Sequence, residues 1–162
     1  MLPFVVMLNR FFAATIAIGV AALLSTAFSR QTFASSTNVV GSAPNQEAVS
    51  KFVNDALHVW QERMNLKDWK IRVELVRADK LEPRTLGNVH WDTDTKSATI
   101  GVLSPLDYQL PYNAMLADME VTVVHELVHI ELASLPRSEA SRGTEEHAVN
   151  EISAALLNLA HH

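Results

Sequence analysis

The stretch from Met115 to Leu135 is long, apolar and free of glycine and proline, and His125-Glu126-Leu127-Val128-His129 lies near its middle. A run of this length without a breaker reads as a helix packed into the core. On a helix, residues four apart lie one above the other on one face. His125 and His129 therefore share a stripe, with Thr122 and Asp118 within roughly a quarter turn of it. Val124, Leu127, Val128 and Leu135 fill much of the opposite side. An apolar helix is a poor place for unpartnered imidazoles, because burying polar groups unpaired is costly. A metal ion gripped between the two rings would be a partner. Glu126 lies about 100° round from His125, on the rim of that face, where its carboxylate can reach a water on the ion. The bland alternative is a core helix with two incidental histidines. Glu120 and Glu131 point away from the stripe and read as structural or solvated; Asp118 reads as a charge favoured near a helix N-terminus.

Two histidines do not complete a catalytic zinc site, which usually has three protein ligands and a water. A third histidine six residues after the second would stand at 135, and that position is Leu135. The inverted order H-x-x-E-H is absent, and there is no cysteine to supply a thiolate. The remaining route is a carboxylate from a following helix. After a polar break from Pro136 to Gly143 comes Thr144-Glu145-Glu146-His147-Ala148-Val149-Asn150-Glu151, with Thr144 as a plausible N-cap and acids in the first turn. Glu146 and Asn150 share a face: Glu146 could ligate while Asn150 accepts a hydrogen bond from the outer N–H of a ligating histidine. Glu145 is the nearest rival as ligand, and a first-turn acid serving the helix dipole is the alternative role for Glu146.

H-E-x-x-H followed by a glutamate on the next helix, with Asp or Asn four residues later, resembles the gluzincin group of zinc metallopeptidases in its smallest members. Glu145 to Leu157 is also similar to the last conserved helix of ImmA/IrrE-type peptidases. The resemblance covers roughly Asn113 to Leu157. It implies Zn2+ held by His125, His129 and Glu146, Glu126 as the general base, and Asn150 supporting a ligand ring. Many gluzincins have Asp where this chain has Asn150. The activity implied is zinc-dependent endopeptidase cleavage of a protein or peptide substrate. The alternative is a non-catalytic, zinc-stabilised binding module of the cell envelope. Tyr108, Tyr112, His90 and His147 are candidates for stabilising an oxyanion.

The 162 residues suit one domain. Residues 1–34 read as a signal peptide or N-terminal anchor: Arg10, then an uncharged run from Phe11 to Leu24, then small-x-small sites between Ser25 and Ala34. The run is at the short end for a membrane span, so cleavage is favoured, with a secreted or periplasmic location; membrane contact would come only through an uncleaved segment. A net charge of −5 without a basic cluster disfavours nucleic acid. Residues 35–44 read as a linker, and 45–162 as the metallopeptidase domain.

Within that domain, Asn45 to Asn65 has helical periodicity through Val49, Phe52, Val53, Ala56, Leu57 and Trp60. Trp69 to Arg77 alternates as a half-buried strand. Leu86–Trp91 and Ala98–Leu103 read as a hairpin across the turn formers Asp92 to Ser97. The order predicts an α+β fold: a small three-stranded antiparallel or mixed sheet packed with an N-terminal helix, the H-E-x-x-H helix and a C-terminal helix, similar to the minimal zincin core. Gly87 to Trp91 is the expected substrate-side edge strand, with Gly87 allowing close backbone approach and His90 and Trp91 as substrate-contact candidates. The competing reading of those two is a surface histidine and a core tryptophan.

Overall fold

The computed structural model describes Phe4–Val5 and residues 45–161. The expected signal segment 1–34, apart from Phe4–Val5, and the expected linker 35–44 lie outside the described residues.

Helix α1, Gln46–Arg63, starts where Asn45 Oδ1 accepts from the N–H groups of Glu47 (3.1 Å) and Ala48 (3.4 Å). This cap satisfies donors that a helix start leaves unpaired. Val49, Val53, Leu57 and Trp60 form its buried stripe. Past its end Asn65 takes φ 56°, a left-handed conformation that asparagine tolerates and that stops the helix. The Gln61 amide then donates to the carbonyls of Leu66 (3.0 Å) and Trp69 (2.8 Å), fixing the turn into the sheet.

The sheet has the order β1-β3-β4-β2. Its three full strands are β2 (Lys70–Val76), β3 (Gly87–Asp92) and β4 (Ser97–Leu103); β1 adds two residues, Phe4–Val5, to the outer side of β3. β3 and β4 form the expected hairpin, with Val89 opposite Ile100. The Asp92 carboxylate accepts from the N–H groups of Asp94 (2.9 Å) and Thr95 (3.2 Å), which shapes the turn. β2 runs parallel to β4, with Val73 opposite Ile100, so the sheet is mixed. Because side chains alternate, one face carries Ile71, Val73, Leu75, Ala98, Ile100, Val102, Gly87, Val89 and Trp91. The helices cover that face. His90, Thr99 and Arg72 belong to the other, which no helix covers among the described residues.

Helix α2, Tyr112–Glu131, is the middle of the molecule, touching α1, α3, β3 and β4. Every residue from Thr122 to Ile130 is buried. A helix enclosed on all sides is apolar all round, which is the composition read from its sequence. Glu120 is partly buried and accepts from the Trp60 indole N–H at 2.8 Å, tying α2 to α1. Glu131 is exposed.

Helix α3, Arg142–Ala160, begins three residues earlier than expected, after Ser141. Thr144 is therefore inside the helix and is not its cap. Ser141 makes no capping bond either, because its hydroxyl is engaged with Ser138 in the preceding turn. The architecture is α+β: a small mixed sheet, α1 and α2 packed on one face, and α3 packed against α2. Among the described helices none is long and apolar enough to cross a membrane.

Candidate metal centre

The centre of α2 puts His125 and His129 one turn apart, 1% and 0% exposed. Their Nε2 atoms are 3.1 Å apart. The first turns of α3 bring Glu146 onto the pair: Oε2 is 3.6 Å from His125 Nε2 and Oε1 is 3.5 Å from His129 Nε2. The three residues can each turn one ligand atom to a common point. Neither oxygen of Glu146 has a normal hydrogen bond among the described residues, although both are buried. Such a carboxylate, facing two imidazole nitrogens, lacks the compensation a buried charge requires.

The distances test the fit. A tetrahedral ion with bonds of ~2.0–2.1 Å to N and O spaces its ligand atoms roughly 3.3–3.4 Å apart. The two Nε2 atoms are 3.1 Å apart, close to that value, and they lie 3.6 and 3.5 Å from different oxygens of Glu146, so a small rotation of the carboxylate would bring a single oxygen to the ion. The group His125–His129–Glu146 can hold a metal ion, and its two-nitrogen, one-oxygen donor set suits a divalent cation of borderline softness.

The electrostatics agree. Burial, then the neighbouring His125 and Arg137, hold the His129 imidazole down at about 2, so the ring is neutral and can donate a lone pair. Burial, and after it the charge of Glu146, hold the Glu126 carboxyl well above the usual range. Glu126 is 0% exposed and neither of its oxygens has a hydrogen-bond partner among the described residues. It lies against β3 at Gly87. A methyl group at Gly87 would meet Glu126 Oε1 at 2.9 Å, the Thr122 methyl at 2.4 Å and the Gly101 carbonyl at 2.9 Å. The close approach that Gly87 permits is thus that of α2 to the sheet.

Glu145, the rival for the third ligand position, lies on the other side of His129, with Oε1 3.5 Å from Nδ1. Asn150, expected to support a ligand ring, forms no hydrogen bond with either imidazole. It sits about 6 Å further along α3 than Glu146, since four residues rise that far. Glu145 occupies the place expected of Asn150.

His90 and Trp91 part company. His90 is exposed on the face of the sheet away from α2, because alternation turns it opposite to Val89. Trp91 faces the helices, packs on the core, and lies under the Arg137 guanidinium at 4.4 Å from ring centre. Tyr108 packs against the core, while Tyr112 and His147 are exposed. Sequence reasoning passed over Arg137, which lies in the polar break between α2 and α3. Its guanidinium donates to the His129 carbonyl at 3.1 Å and pairs with Glu145 at 2.7 Å. Nothing in the local pattern marks it; only a cation close after a helix C-terminus hints at a carbonyl partner.

No family model, curated protein or solved structure matches this chain.

Proposed function

We propose that this protein is a zinc metallopeptidase of the gluzincin type, hydrolysing peptide bonds in a protein or peptide substrate. One observation carries the reading: two buried imidazoles facing one carboxylate, close enough to share an ion, beside a buried glutamate that has no hydrogen-bond partner among the described residues. Zinc, when bound, supplies a Lewis acid that brings water within reach of deprotonation near neutral pH and polarises a carbonyl. His125 and His129 offer their Nε2 atoms, and Glu146 offers a carboxylate oxygen. Glu126 accepts the proton of the attacking water on a carboxylate oxygen and passes it to the departing amide nitrogen. Its low-polarity surroundings raise its basicity, which suits that exchange. The uncharged run from Phe11 to Leu24 supports export, to the periplasm or beyond the cell.

The complete burial of Glu126 also favours a second reading, a zinc-stabilised binding module without catalysis. Metal analysis and casein hydrolysis separate the two, using wild type, Glu126→Gln and Glu146→Ala with His161 and His162 replaced to remove adventitious binding. The peptidase predicts near-stoichiometric zinc in wild type and Glu126→Gln, loss of zinc in Glu146→Ala, and a fall of roughly 10²–10⁴-fold in hydrolysis for Glu126→Gln. Equal hydrolysis by wild type and Glu126→Gln would sink the peptidase. Zinc retention with no hydrolysis by any of the proteins would favour the binding module.

A further inference from the structure

Arg137 belongs to the short connection between α2 and α3 and reaches both helices and the sheet. Its Nη2 donates to the carbonyl of His129 at 3.1 Å and pairs with Glu145 Oε1 at 2.7 Å, and its plane lies over the Trp91 ring at 4.4 Å. Arg137 and Glu145 are only 20% and 13% exposed, so solvent screens the pair less than an ordinary surface bridge. Glu145 in turn faces His129 Nδ1 at 3.5 Å, a few tenths of an ångström beyond a good hydrogen bond. The chain Trp91–Arg137–Glu145–His129 thus runs from the sheet to the outer nitrogen of a ring whose Nε2 faces Glu146.

We propose that Arg137 is a positioning residue of the metal group. It holds Glu145 against His129 Nδ1, which keeps the proton on that nitrogen and leaves the Nε2 lone pair for the ion. It also holds the α3 turn that carries Glu146 against the end of α2. The planar fork and its stack on Trp91 make this a task for arginine; an ammonium could keep the Glu145 pair but not all three contacts. The inference rests on the metal-centre reading above, and its test has an arm that needs no metal.

That arm is the imidazole nitrogen spectrum of the metal-free full chain. Wild type should show the His129 proton on Nδ1, and Arg137→Ala and the isosteric Glu145→Gln should shift the balance toward Nε2–H. The second arm is zinc affinity from chelator competition. Arg137→Ala and Glu145→Gln should each bind zinc about 10–100-fold more weakly. Arg137→Lys should recover part of that loss. The double variant should be no weaker than the worse single one, because both changes break one chain. Fully additive losses, unchanged affinity in both single variants, or a wild-type proton on Nε2 would each overturn the proposal. A wild type that binds no zinc but holds Nδ1–H through Arg137 and Glu145 would sink the metal reading and leave the positioning of the ring standing. If Arg137→Ala fails to fold, Glu145→Gln and Arg137→Lys still decide the matter.

Discussion

Glu126 and His129 sit three residues apart in one buried turn, and burial moves both toward their neutral forms. In the metal-free protein Glu126 is held well above its unfolded value of 4.5, and His129 is held at about 2, far below 6.5. A raised carboxyl contributes stability that is lost as pH rises from 4.5 towards its folded value. A lowered imidazole contributes stability that is lost as pH falls from 6.5. The two effects have opposite slopes above pH 4.5. Glu126→Gln removes only the carboxyl, so its metal-free form should gain on wild type as pH rises from 4.5 towards neutrality. Urea melts in chelator across that range measure it, and parallel stability profiles for the two proteins would show that Glu126 is not held neutral. Gly87 offers a second check at this scale. Alanine there collides with the Thr122 methyl, with Glu126 and with a carbonyl of β4. The carbonyl cannot rotate away, so Gly87→Ala should lose ~1–3 kcal/mol of stability, as overpacking does.

At the scale of elements, α1 and α2 are joined by one polar bond inside an apolar contact, Trp60 Nε1 to Glu120 Oε1. Glu120→Leu strands the buried indole N–H and should cost ~1–3 kcal/mol. Glu120→Gln keeps an acceptor and should cost less than half as much in the same thermal melts. Glu120 had read from its helical position as structural or solvated, and its bond to Trp60 is structural. The elements that periodicity marks strongly were the ones legible in the sequence. The α1 stripe, the alternation of Ile71, Val73 and Leu75, and the turn formers after Asp92 each follow from local chemistry that survives packing. The start of α3 was less legible. Ser138 and Ser141 bond to each other, and that competition removes the cap a sequence reader would look for. The pairing of His125 and His129 was readable because a helix fixes four-residue spacing. The places of Glu145, Asn150 and His90 were not, because they depend on how α3 crosses α2 and which face β3 turns outward. Same-face reasoning within one helix says nothing of the angle at which a second helix arrives.

For the molecule as a whole, the residues that could hold a metal come from two helices, and only the packing of α3 on α2 brings Glu146 to the two histidines. A metal bound there would add its binding energy chiefly to the folded state. With free zinc at about a thousand times its dissociation constant, the gain is ~4 kcal/mol. Chelator should lower the melting temperature of wild type correspondingly. It should leave His125→Ala, which lacks a ligand, unmoved. Equal melting of wild type with and without chelator, in protein first shown to contain zinc, would contradict this.

Helix α3 hides just Val149 and Ser153 completely, while α2 hides eleven of its residues. The C-terminal helix is therefore held by a thinner contact than α2, through its two adjacent acids near the start and a few apolar residues further along. Local opening follows the thinnest contacts. In deuterium exchange followed by mass spectrometry, the amides of Arg142–Ala160 should label well before those of Tyr112–Glu131 when metal is stripped, and zinc should slow them selectively. The cation would then work as a latch whose release lets the tail of the domain swing away while the central rod stays in place.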